Sequence, residues 1–101
     1  MLKEISAQEL LRWQQEGRSH QLIDVREPEE RELYHIGGEL MPLSALHKNT
    51  HRLNPNVPIV VYCKRGMRSQ IAIQRWQAVF PEAEFYNLRG GIGTHPADSD
   101  G

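Results

Sequence analysis

Val57-Pro-Ile-Val-Val-Tyr-Cys-Lys-Arg-Gly-Met-Arg-Ser69 is the stretch whose reading decides the fold. Ile59-Val60-Val61-Tyr62 is a β-branched and aromatic run, which predicts a strand covered on both faces. An amphipathic helical pattern begins at Met67, so Cys63, the only cysteine in 101 residues, opens a strand-to-helix loop. Lys64, Arg65 and Arg68 place three cations close to that sulfur in a chain of net charge −1. Fixed positive charge and the unsatisfied N–H groups of a helix start both favour an anionic sulfur, and the chemistry to expect is nucleophilic. Without these neighbours a lone cysteine at a strand end would read as a small buried hydrophobe. Gathering cations merely to pack a thiol would be costly, and an anion site is the cheaper explanation.

Outward from this loop, strands alternate with helices. Lys3-Glu4-Ile5 is a short strand, and Ser6-Ala7-Gln8-Glu9 is a capping box that starts a helix running to about Glu16, stopped by Gly17. Leu10, Leu11 and Trp13 give that helix its apolar side. Gln21 to Val25 is the second strand, and Pro28 suits the first turn of a short helix through Tyr34 that Gly37-Gly38 breaks. Glu39-Leu40-Met41 is a brief strand, followed by a helix from about Leu43 to Leu53. Pro55 and Pro58 prevent its continuation. The helix from Met67 to Phe80 carries Ile71, Ala72, Trp76 and Val79 or Phe80 on one side, and Phe85 to Leu88 is the last strand. The alternation predicts an α/β fold with a central, mostly parallel five-stranded sheet flanked by helices on both faces. Ligands of such sheets bind off the carboxyl ends of the strands, where Asp24-Val25-Arg26 and Cys63 both fall.

A chain of 101 residues is expected to form one domain, here residues 1–93 with a flexible tail over 94–101. Its near-neutral charge offers no global attraction for nucleic acid or membranes, and no apolar run is long enough for a membrane span. Met1-Leu2-Lys3-Glu4 leads into no signal-peptide core, so the cytoplasm is the expected location. A single cysteine makes no intramolecular disulfide, which leaves the thiol free to react.

Loop length separates two chemistries. Only Lys64, Arg65, Gly66 and Met67 lie between Cys63 and Arg68, one residue fewer than in a cysteine-dependent phosphatase loop. The tighter loop fits an outer sulfur carried on the cysteine better than a tetrahedral phosphate or arsenate. A phosphatase or arsenate reductase and a non-catalytic module docking an anionic partner are the rival readings.

Four segments taken in order resemble the rhodanese domain. They are Leu22-Ile23-Asp24-Val25-Arg26-Glu27, Tyr34-His35-Ile36-Gly37-Gly38, Val60 through Ser69, and Asn87-Leu88-Arg89-Gly90-Gly91-Ile92. The resemblance implies a sulfurtransferase that stores sulfur as a persulfide on Cys63, with Lys64, Arg65, Gly66, Met67, Arg68 and Ser69 as the anion-binding loop. Lys64 and Arg65 would attract the donor, Arg68 and Ser69 would frame the loop, and Asp24 and Arg26 would tie neighbouring loops by a salt bridge. No cofactor or metal is required. Gly38-Glu39-Leu40-Met41-Pro42-Leu43 is most similar to the rhodanese module fused behind E1-like adenylyltransferases. That likeness implies a sulfur-carrier protein as acceptor, in molybdopterin or thiamine pathways, and a cysteine desulfurase or thiosulfate as donor. In some thiosulfate-using members an arginine follows the Asp-x-Arg segment, where Glu30 stands here with Arg31 one place along. The last motif departs as well, because Gly91-Ile92 leads into Gly93-Thr94-His95-Pro96 instead of a tryptophan and a final helix.

The remaining polar clusters read as structural. His47 and His51 lie four apart without a third ligand at metal spacing and are expected to be solvated. His35 is expected to pack and hydrogen-bond within its turn. Asp24, Glu27, Glu29, Glu30 and Glu32 are expected to form a solvated, acidic helix start. Trp13 and Trp76 are assigned to the core.

Overall fold

The computed structural model describes residues 2–93, so the tail expected over residues 94–101 lies outside the described residues. Five strands form one sheet: β1 (Glu4–Ile5), β2 (Gln21–Asp24), β3 (Glu39–Leu40), β4 (Ile59–Tyr62) and β5 (Phe85–Leu88). Their spatial order is β1-β5-β4-β2-β3, and every pairing is parallel. The central position of β4 follows from its residues, since Ile59, Val60, Val61 and Tyr62 are all fully buried. A strand with two covered faces needs apolar side chains at successive positions, and this one has them.

Alternate side chains of β4 feed two cores. Ile59, Val61 and Cys63 pack with Ala72, Ile73 and Trp76 of α4 (Met67–Val79) and with Leu46 and Leu53. Val60 and Tyr62 pack on the opposite face with Ile5, Leu88, Ile92 and Leu10 of α1 (Ala7–Gln15). Helices therefore cover both faces, as the alternation predicts. The capping box at α1 is present in both directions, Glu9 N donating to Ser6 Oγ at 3.1 Å and Ser6 N to Glu9 Oε1 at 3.1 Å. Leu11, Ile71 and Val79, expected on apolar faces, are instead substantially exposed. Trp76 is buried, whereas Trp13 is half-buried at the surface, stacked under the Arg18 guanidinium at 4.1 Å and edge-on to Tyr86.

The continuous helix expected from Leu43 to Leu53 does not form. A 3₁₀ turn at Leu43–Ala45, one α-helical turn α3 at Leu46–Asn49 and a second 3₁₀ turn at Thr50–Arg52 take its place. Asn49 Nδ2 donates to Ala45 O and Thr50 Oγ1 to Leu46 O, both at 3.0 Å. Short polar side chains that bond to local carbonyls weaken the regular helix, and the apolar spacing alone does not register this.

At the carboxyl edge of the sheet, α2 (Pro28–Leu33) and the turn after it fold over β2. Gly38 sits at φ +81°, and a Cβ there would strike the Leu22 carbonyl, whereas one at Gly37, φ +96°, would meet nothing within 4 Å. No helix among the described residues is long and apolar enough to cross a membrane. The glycine pair gives a direct test. Gly38→Ala, which combines a left-handed backbone with a steric clash, is expected to cost roughly 3 kcal/mol or more. Gly37→Ala, which carries the backbone penalty alone, should cost about 1 kcal/mol in urea unfolding.

Candidate functional site

β4 ends at Tyr62, and the chain curls through Cys63 to Gly66 before α4 begins. Gly66, at φ +92°, makes the curl possible, because that left-handed conformation is strained for residues with a Cβ. The curl turns the loop's own donors inward: Gly66 N donates to Cys63 Sγ at 3.0 Å and Ser69 N at 3.4 Å. Ser69 Oγ stands 3.3 Å from the same sulfur. Backbone N–H groups of Lys64, Arg65, Met67 and Arg68 have no acceptor among the described residues. Two donors therefore hold the sulfur, and four more remain around the loop for an anion placed beyond it.

The loop is fixed from behind by β5. Asn87 is buried, accepts a hydrogen bond from Ser69 Oγ and donates through Nδ2 to Gly66 O at 3.2 Å. Ile92 N donates to Cys63 O at 3.0 Å and Gly93 N to Lys64 O at 2.9 Å. Gly91 lies so close to the Lys64 carbonyl that any Cβ there would collide with it. In the sequence Asn87 stands at the start of the last of the four motif segments, where its pattern assigns it no role. The available signal was an amide in the middle of a short buried strand, where asparagine is unfavourable without a hydrogen-bonding purpose.

The expected site residues come together at one edge of the sheet. Cys63 is 1% exposed, and Ser69 is fully buried. Lys64 is half-buried and Arg65 exposed, and neither has an ion-pair partner among the described residues. Met67 is exposed on the first turn of α4. Arg68 reaches away to α2, where its two terminal nitrogens meet Glu30 Oε1 and Oε2 at 2.6 and 2.8 Å.

Asp24 and Arg26 do form the expected salt bridge, but as a fully buried pair. Arg26 Nε and Nη2 donate to the two Asp24 oxygens, both at 2.9 Å, and Nη2 also donates to Tyr34 O at 2.7 Å. Arg31 joins Asp24 at 3.4 Å and donates to Gly38 O at 2.7 Å. Tyr62, whose phenol burial pushes up to about 12, remains a neutral donor to Gly37 O at 2.8 Å. The acidic segment is thus not a solvated helix start as a whole. Asp24 is interior, Glu27 accepts from Ser44 Oγ, and Glu30 is held by Arg68, leaving Glu29 and Glu32 exposed. His35 is exposed and accepts from Gly37 N through Nδ1 at 2.9 Å, within its own turn; His47 and His51 are exposed.

Fold and loop together define a parallel α/β module built around one cysteine at the end of its central strand. Comparison with known proteins gives this class a family. The chain belongs to the rhodanese-like domain family, whose model matches residues 6–93. It is 41% identical over 76 residues to the uncharacterized protein YqhL of Bacillus subtilis (strain 168), a match covering 74% of this chain and 60% of that protein. It is 38% identical over 92 residues to the probable adenylyltransferase/sulfurtransferase MoeZ of Mycobacterium tuberculosis (strain ATCC 25618 / H37Rv), covering 87% of this chain but only 23% of that protein. Among solved structures, a rhodanese-like domain protein from Staphylococcus aureus superposes with a TM-score of 0.80 at 27% identity, covering 90% of this chain and 88% of that one.

Two outcomes follow from the buried and half-buried charges. Asp24→Ala would leave Arg26 charged, buried and missing its carboxylate, and is expected to cost about 3–5 kcal/mol in urea unfolding. The hydrogen bond from Arg68 lowers the Glu30 carboxyl from 4.5 to about 2. A depressed carboxyl stabilises the fold above its unfolded value and loses that contribution as pH falls. The stability difference between the wild type and Glu30→Gln should therefore be constant above about pH 5 and shrink as pH falls toward about 2, read from unfolding midpoints across that range.

Proposed function

We propose that this chain is a sulfurtransferase that carries sulfur as a persulfide on Cys63. The observation that carries the reading is the sulfur's setting: a cysteine at the end of a buried strand, held by Gly66 N and Ser69 N, inside a loop whose other N–H groups lack internal acceptors. Oriented N–H groups stabilise an anion without having to reorganise, and a terminal persulfide sulfur is such an anion. The loop frames one added sulfur atom. Lys64 and Arg65, free of carboxylate partners among the described residues, draw an anionic donor to the mouth and offset the charge on its leaving group.

The reaction is a double displacement. Cys63 thiolate attacks the outer sulfur of the donor; a new sulfur–sulfur bond forms as the old one breaks, and its electron pair leaves with the donor. With thiosulfate the leaving group is sulfite, and with a protein persulfide it is the donor's thiolate. An acceptor nucleophile then attacks the terminal sulfur, and the electrons of that bond return to Cys63. Charge balances at both steps, with no external oxidant or reductant.

The adenylyltransferase/sulfurtransferase relative supports a protein-borne pathway. A cysteine desulfurase would supply the persulfide, and a sulfur-carrier protein activated by an E1-like adenylyltransferase would receive the sulfur. A free thiol suits a reducing compartment, and the cytoplasm is the proposed location. Replacing Cys63 by Ser should leave the fold intact and abolish transfer, measured as thiocyanate formed from cyanide. Mass spectrometry of the wild type after donor treatment should show one added sulfur that cyanide removes. Retained transfer by the serine variant, or no added sulfur with any donor class, would sink the mechanism.

A further inference from the structure

Three cations surround the sulfur loop, and the fold treats one of them differently. Lys64 and Arg65 have no carboxylate partner among the described residues, whereas Arg68 is held bidentately by Glu30 at 2.6 and 2.8 Å. Glu30 is held in place from its own side as well. Its Oε1 accepts from Glu27 N at 3.0 Å at the start of α2, and the strand leading into α2 is fixed by the buried Asp24–Arg26 pair. Both partners are about two-thirds shielded, with side-chain exposures of 32% for Arg68 and 29% for Glu30. The arrangement is more ordered than most surface ion pairs, because the geometry is bidentate and one partner is fixed independently. Arg68 is also close enough to Cys63 for the sulfur's charge to contribute to the upward shift of its guanidinium, after the larger contribution of Glu30. A cation within electrostatic range of the reacting sulfur is thus neutralised by a carboxylate that nothing in the sulfur chemistry requires.

We propose that Glu30 is a specificity-determining residue. By occupying Arg68, it withholds that guanidinium from the donor and turns the site away from compact dianionic sulfur donors toward persulfides, which carry a single negative charge. The assignment rests on the persulfide reading of Cys63 given above. A small dianion approaching the mouth is attracted by Lys64 and Arg65, while the Arg68–Glu30 pair adds no net charge. A donor whose outer sulfur carries one negative charge on an uncharged carbon skeleton depends less on that missing charge. Discrimination arises here by removing an attraction from one donor class, without any new contact to the other.

The test is a charge cycle at the two positions, with thiosulfate as the dianionic probe and an alkyl persulfide, singly charged at neutral pH, as the other. Glu30→Gln keeps groups able to bond with Arg68 and Glu27 N but removes the negative charge. It should lower KM for thiosulfate roughly tenfold with kcat changed by less than about twofold, and change KM for the singly charged alkyl persulfide by about threefold or less. Arg68→Gln should act in the opposite direction and more strongly on thiosulfate than on the alkyl persulfide, which keeps the idea testable should Glu30→Gln fail to fold. The double variant should return close to wild type. Raised salt should erode the Glu30→Gln gain, since an exposed charge effect is screened. An unchanged or raised thiosulfate KM in Glu30→Gln overturns the proposal, as does an equal change for both donors. If the wild type forms no Cys63 persulfide with either probe, the sulfurtransferase reading itself fails; if it forms one and the variants do not discriminate, only the role of Glu30 fails.

Discussion

Negative charge on a sulfur at the end of a buried strand needs donors around it, and here the donors near the sulfur belong to the seven residues that begin with the cysteine itself. Gly66 N and Ser69 N close on Cys63 Sγ only because the chain reverses tightly after β4, which requires the left-handed backbone at Gly66. That reversal needs a rigid support. It comes from β5 and the residues after it, where Asn87 bonds to Gly66 and Ser69, and Ile92 and Gly93 bond to the carbonyls of Cys63 and Lys64. Gly91 lets the two segments approach more closely than any side chain would permit. The parallel register that sets β5 beside β4 is therefore part of the site, because a slip along either strand would remove Asn87 from the loop.

A second group of polar residues at the same edge does different work. Asp24, Arg26 and Arg31 form a network under the turn that contains Gly37 and Gly38, with Tyr62 bonded to that turn from β4. Buried ion pairs gain little over apolar packing once desolvation is counted, although removing one partner is costly. The network's value here lies in position. It orders the segment that leads into α2 and so fixes where Glu30 stands relative to Arg68. Interior charge at the end of one strand thereby bears on the position of the surface ion pair beside the sulfur loop.

The sheet, its parallel sense and the edge that carries the site were legible because they follow from local patterns: a doubly buried strand at Ile59–Tyr62, a capping box at Ser6, and glycines and prolines at the boundaries. The pattern failed where side chains compete with the backbone, as Asn49 and Thr50 do in the segment that breaks into short turns. It also failed for charges. A run containing Asp24, Glu27, Glu29, Glu30 and Glu32 reads as one solvated acidic patch, since residue type does not say which carboxylate will find a cation 38 positions away. Asn87 escaped notice for the same reason: its partners, Gly66 and Ser69, are adjacent only after β5 has paired with β4.

The loop divides its work between two kinds of positive charge. Backbone N–H dipoles cannot be titrated or withdrawn, and those nearest the sulfur are shielded, so salt screens them little. They suit the constant requirement of the proposed chemistry, a place for negative charge on the sulfur before and after transfer. Side-chain cations at the rim are mobile and screened, and a neighbouring carboxylate can cancel them, as Glu30 does for Arg68. They suit the variable requirement of the proposed transfer, which is the charge of the donor. Because the two sets occupy different atoms of the same loop, the proposed donor preference would change through one carboxylate on α2 without disturbing the cradle that holds the sulfur.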